Sequence, residues 1–287
     1  MDRRLYRGGL GAALLAGAWI GGATIAASDA GYAGSDACLG CHEEAARSLI
    51  HRGADAQEPR CEGCHGPGKA HVDAGGGPSA IRRLDELEPF ERSAACLVCH
   101  EKGGARNWRF GAHAAEEVSC SDCHAVHNAA GATEHLLAKA RETELCLGCH
   151  KLQRVESLRS SHMPLREGKI SCSDCHDPHG STSDAMLRDP SLNDNCYRCH
   201  AEKRGPFLFE HPPVRESCLN CHDPHGSMHE SLLRSKQPRL CQNCHISSRH
   251  PSEPRVSGSR FVFNRGCVNC HPQVHGSNHP SGVRQMR

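Results

Sequence analysis

The stretch Ser171-Cys172-Ser173-Asp174-Cys175-His176-Asp177-Pro178-His179-Gly180 decides how this chain is read. Two cysteines stand three residues apart, a histidine follows at once, and a second histidine comes three residues later. Ser217-Cys218-Leu219-Asn220-Cys221-His222-Asp223-Pro224-His225-Gly226 is a near duplicate, and Ser119 to His127 is a looser third copy. Outward from these, the C-x-x-C-H core absorbs all 20 cysteines of the 287-residue chain. In chain order the ten triplets are Cys38, Cys41, His42; Cys61, Cys64, His65; Cys96, Cys99, His100; Cys120, Cys123, His124; and Cys146, Cys149, His150. Then follow Cys172, Cys175, His176; Cys196, Cys199, His200; Cys218, Cys221, His222; Cys241, Cys244, His245; and Cys267, Cys270, His271.

C-x-x-C-H is the attachment signature of c-type haem. Residues three apart share one face of a helical turn, so two sulfurs there can form thioethers along one edge of a porphyrin. The next residue projects toward the iron as proximal ligand. Zinc sites also use C-x-x-C pairs, but zinc does not require a histidine after every second cysteine. A redox dithiol is normally single and near a βαβ pattern, and a disulfide scaffold would not space its cysteines this way.

The chain has 23 histidines, ten of them proximal. Ten of the remainder fall into a pattern of five two-haem units. Each unit is a C-x-x-C-H, a spacer with one histidine, a second C-x-x-C-H, and a trailing histidine. The spacer histidines are His51, His113, His162, His211 and His250, and the trailing ones are His71, His127, His179, His225 and His275. These are the candidate distal ligands. A fixed period of this size marks a linear array of one supersecondary unit. His135, His229 and His279 fall outside the pattern. A histidine three residues after its own proximal ligand cannot readily reach the opposite face of the same macrocycle. His127, His179 and His225 are therefore expected to serve neighbouring haems. Met163 and Met228 are read as packing or surface residues, since histidine is in surplus. Bis-histidine ligation implies low-spin, low-potential haems with no open site for substrate.

Residues 1–30 read as an export signal: Arg3, Arg4 and Arg7, then a Gly/Ala-rich apolar stretch, then small residues around Ala26 to Ala30. The expected location is the periplasm. Without residues 1–30 the chain carries 31 basic and 31 acidic side chains. Ten oxidised haems add roughly ten negative charges through their propionates, which argues against nucleic acid as a partner.

Aromatic residues are 4% and hydrophobic residues 37%, with 29 Gly and 16 Pro. Such a chain cannot build an ordinary core. The expected fold class is a multihaem cytochrome c, with little regular structure: short α-helices and loops wrapped around a chain of ten haems, and almost no β. Residues 43–51, 81–95 and 132–145 are the expected helices by apolar spacing. Gly75-Gly76-Gly77-Pro78 and the stretch 251–260 mark loops.

Ten such motifs on a short exported chain, with Cys-His-Asp-Pro-His-Gly repeats, resemble the periplasmic decahaem c-type cytochromes of the MtrA/DmsE type. The resemblance implies ten covalent c haems, bis-histidine ligated, in two pentahaem halves, here 31–160 and 161–287. It also implies redox protein donors and acceptors, an outer-membrane β-barrel porin, and an extracellular multihaem cytochrome or reductase. The expected role is an electron carrier without a catalytic residue. The alternatives are a multihaem oxidoreductase of a small nitrogen or sulfur compound, which needs an open iron position, and a subunit of a cytochrome filament.

Overall fold

The computed structural model describes residues 31–48, 61–127, 134–245 and 266–287. The export segment 1–30, His51, His250 and the stretch 251–260 lie outside the described residues.

Each attachment motif forms a single closed turn. The histidine N–H donates to the carbonyl of the first cysteine at 2.9 Å in His42 and His124, and at 3.0 Å in His150, His176, His200 and His222. That bond gathers both sulfurs and the imidazole onto one side of the turn. Serine starts several of these turns because its hydroxyl satisfies a helix N-terminal amide. Ser119 forms a reciprocal capping box with Asp122, and Ser171 forms one with Asp174. Ser217 caps the amide of Leu219. The second motif is also clasped by Glu62, whose carboxylate accepts from the amides of Ala33, Gly34 and Gly68 at 2.7–3.0 Å. Burial pushes the Glu62 carboxyl up, but those three N–H groups outweigh it and hold its pKa below the usual value.

Regular structure is confined to short helices, and no strand occurs among the described residues. The expected helix over 81–95 is shifted. Residues Leu84–Glu86 form a 3-10 turn, and the helix runs Pro89–His100. Proline is preorganised for a first helical position and disfavours helix in the residue before it, so the helix begins there and carries the third motif. The expectation over 132–145 also needs correcting. The helix there is Glu142–Cys149, and Glu134–Leu136 is a tight turn with His135 and Leu136 at φ 55° and 57°. Of the expected helix over 43–51, Glu43–Ser48 is described and helical. The three glycines 75–77 all take positive φ, as a loop.

The buried apolar residues among those described are Leu97, Trp108 and Leu187. Other buried residues are Ser93, Ser119, Ser157, Asn195, Ser227 and Ser277. This is no core for a chain of such length. The space at the centre is instead one continuous cavity of about 5990 Å³, lined by cysteines and histidines of all ten motifs. Chain produced without haem attachment is therefore expected to show a coil-like far-ultraviolet circular dichroism spectrum. A cooperative thermal transition in that material would contradict this.

Successive units join by a recurring seam. The carbonyl of Gly180 accepts from Asn107 Nδ2 at 3.1 Å, and that of Gly226 from Arg159 Nη1 at 2.8 Å. Both glycines have positive φ. A Cβ on Gly180 would sit 2.7 Å from the Asn107 carbonyl oxygen, and one on Gly226 would meet the Glu156 carbonyl. Isolated bridges Ser161–Ser227 and Phe209–Ser277 continue the seam. These contacts tie 107–113 to 178–180, across the line between residues 160 and 161.

Candidate haem-binding site

Seven histidine pairs line the cavity, with their rings stacked or tilted and, for His113 and His150, edge-on. His42 meets His71 at 6.1 Å between ring centres, His65 meets His127 at 6.3 Å, and His150 meets His113 at 6.0 Å. His124 meets His179 at 5.9 Å, His176 meets His225 at 6.1 Å, His222 meets His275 at 6.2 Å, and His245 meets His211 at 6.3 Å. An imidazole nitrogen binds a first-row metal at about 2 Å. Two such bonds, plus the distance from each nitrogen to its ring centre, come to about 6 Å. The residues thus fit a bis-imidazole iron between each pair. The cavity also offers roughly 600 Å³ for each of ten motifs, within the range of about 300–1,000 Å³ for cofactor-sized pockets.

The second ring nitrogen is anchored as a metal ligand requires. Nδ1 of His65, His124, His176, His222 and His271 donates to the carbonyls of Arg82, His135, Ala185, Ser231 and Arg284 at 2.6–3.1 Å. Among the distal set, His71, His113, His127 and His211 donate to Gly77, Pro178, Ala45 and Val274 at 2.9–3.2 Å. These bonds leave Nε2 of each ring for iron. Burial pushes the pKa of His179, His225 and His275 down, in the direction of the neutral form that binds a metal.

A rule governs the pairing. Trailing His127, His179, His225 and His275 each face the second proximal histidine of the preceding unit. Spacer His113 and His211 each face the first proximal histidine of the following unit. His71, in the first unit, turns back onto its own unit. His162 departs from the rule. Its Nδ1 lies 2.8 Å from the Arg159 carbonyl and its Nε2 3.2 Å from Glu167 Oε1. The Glu167 carboxylate, and then the Arg159 carbonyl, raise its pKa.

The sulfurs form an unbroken succession. The first cysteines of the two motifs in each unit lie beside one another: Cys38 and Cys61, Cys96 and Cys120, Cys146 and Cys172, Cys196 and Cys218, and Cys241 and Cys267. Between units, second cysteines are neighbours: Cys64 and Cys99, Cys123 and Cys149, Cys175 and Cys199, and Cys221 and Cys244. All ten sites follow one another in sequence order.

Sequence reading missed the backbone carbonyls that anchor the proximal rings. A signal for three of them is present. Glu134-His135-Leu136-Leu137, Asp184-Ala185-Met186-Leu187 and Glu230-Ser231-Leu232-Leu233 share an acid-x-Leu/Met-Leu pattern. His135 belongs to this turn, where its backbone receives His124. His279 is a turn residue whose Nδ1 accepts from the Ser281 amide.

Paired cysteines, an adjacent imidazole and a second imidazole on the far side of one cavity define a multihaem c-type cytochrome. The chain belongs to the family of the multihaem cytochrome MtrA: it is 40% identical to "Multiheme cytochrome MtrA" of Shewanella baltica (strain OS185) over 274 residues, covering 88% of this chain and 81% of that protein. The family description "Doubled CXXCH motif" matches residues 162–205 and 211–250, and "Cytochrome c-type protein NrfB-like" matches residues 61–149. No helix among the described residues is long and apolar enough to cross a membrane.

Proposed function

We propose that this electron-transfer protein is a ten-haem periplasmic relay between inner-membrane or periplasmic donors and an outer-membrane porin-associated extracellular oxidoreductase. The observation that carries the reading is the row of seven facing histidine pairs along one continuous cavity lined by all ten motifs. Haem supplies a one-electron Fe(III)/Fe(II) couple at each site. The chain's own residues hold the sites in order, close both axial positions and replace water with cavity walls. Extending the pairing rule assigns His51 to His100; by elimination His200 and His271 are left for His162 and His250, so all ten distal candidates are used. The halves 31–160 and 161–287 each own five motifs, yet His124 and His179 make them share the fourth site. A closed barrel is a fitting sheath for such a chain, because its backbone hydrogen bonds are satisfied within it.

Mass spectrometry is expected to show ten haems per chain, with a resting electron paramagnetic resonance spectrum that is low-spin. Fewer haems, or a large high-spin fraction, would count against the relay. One observation favours a second reading, an oxidoreductase of a small nitrogen or sulfur compound. His162 is engaged by Glu167, which marks the seventh motif as the place for an open iron. A Soret shift on adding cyanide or nitrite to the native protein would support it.

A further inference from the structure

Six non-glycine residues in three equivalent places adopt a left-handed backbone as consecutive pairs: His135-Leu136 at φ 55° and 57°, Ala185-Met186 at 53° and 52°, and Ser231-Leu232 at 57° and 56°. Side chains other than glycine avoid this region, and two in succession are rarer still. Backbone strain that recurs at equivalent positions points to a function held by the surrounding structure.

The surroundings are the same each time. The first residue of the pair presents its carbonyl to Nδ1 of a proximal histidine: His135 to His124 at 2.8 Å, Ala185 to His176 at 2.8 Å, Ser231 to His222 at 2.7 Å. The second residue's carbonyl accepts from the amide directly after that histidine, at 2.7 Å in all three. The chain then returns to donate to the carbonyl of the second cysteine, from Ala138, Arg188 and Arg234 at 2.8–3.0 Å. The turn is thus pinned on both sides of the histidine whose ring it receives. Two left-handed residues reverse the chain tightly enough to bring one carbonyl onto the ring and the next onto the backbone.

We propose that these left-handed pairs are redox-setting clamps, in which Ala185, Ser231 and His135 act as positioning residues. Each clamp presses a carbonyl onto a proximal Nδ1–H, makes that imidazole a stronger donor and lowers the potential of its haem. The inference rests on reading His124, His176 and His222 as proximal ligands, and it adds an electronic role for a backbone turn that carries no ligand itself.

The test compares Ala185→Ile with Ala185→Gly in the haem-loaded full chain. A β-branched side chain opposes the left-handed turn, whereas glycine accepts it. Ala185→Ile is expected to move one component in ten of a spectroscopic redox titration to higher potential and to change one low-spin signal. Ala185→Gly is expected to titrate as the parent does. Identical titrations for both variants, with ten haems attached, would overturn the proposal. Should Ala185→Ile mature poorly, the parent protein carries the test. With histidine ¹⁵N-labelled, three proximal Nδ1–H signals are expected to outlast the others in deuterium oxide. Exchange of all of them within the dead time would overturn the clamp. A missing haem on the peptide bearing Cys172 and Cys175 in the parent protein would instead sink the ligand reading beneath it, so the two failures are distinguishable.

Discussion

Replacing His179 by alanine is expected to convert one haem in ten from low-spin to high-spin while all ten remain attached. His179 stacks on His124 at 5.9 Å between ring centres with 18° between planes. It belongs to the third unit and His124 to the second. Its outer side lies against Trp108, one of the few buried apolar residues, at 6.3 Å. Alanine removes the only imidazole placed at that position by the pairing rule, and the site opens on its distal face. The same change removes a cross-link between units, so the thermal midpoint is expected to fall as well. Electron paramagnetic resonance reads the first effect and calorimetry the second. A spectrum with no added high-spin signal would refute the pairing of His124 with His179. His179→Met tests the pairing from the other side. A thioether ligand raises the potential of a haem, so one titration component in ten is expected to move upward.

Replacing both Cys172 and Cys175 by alanine is expected to leave nine haems and to break the relay in the middle. Cys172 lies within 4.8 Å of Cys146 of the preceding motif, and Cys175 neighbours Cys199 of the following one. The sixth site therefore lies between the fifth and the seventh. Reduction from one end should leave the haems beyond the gap oxidised on the time scale at which the parent chain is fully reduced. Stopped-flow absorbance with a donor too large to enter the cavity makes the measurement. Full reduction at the parent rate would show that electrons do not pass site by site. His176 and His225, left without iron between them, are expected to give a local loss of stability at the seam where Gly226 meets Glu156.

The legible part of the site was the part that is local in the chain. A C-x-x-C-H turn closes on itself through one bond between residues four apart, so ten such turns could be read directly. The scarcity of apolar residues announced the missing core in the same way, because composition alone limits what can be buried. The helices were less legible. Pro89 moved one start, and the left-handed pair His135-Leu136 replaced helix where apolar spacing suggested it. In that segment the proximal imidazole of His124 needs a carbonyl, and the need of the site outweighed local propensity. The Ser-Cys-x-Asp cap was visible as letters, but its meaning as a capping box came only with the bond from the Ser119 amide to Asp122 Oδ2 at 2.7 Å.

By itself, then, the sequence determined which twenty cysteines stand in c-type haem attachment motifs, which histidine follows each pair, and that apolar side chains are too few for an ordinary core. Tertiary structure decided which distal histidine faces which site, that the sites follow one another in chain order, and that backbone carbonyls hold the proximal rings. The reason is physical. Attachment needs one turn of chain, whereas a second axial ligand must come from the opposite face of a wide macrocycle. For six of the seven pairs another unit, folded across the seam, brings it there: His113 donates to Pro178, and His211 to Val274, 65 and 63 residues away.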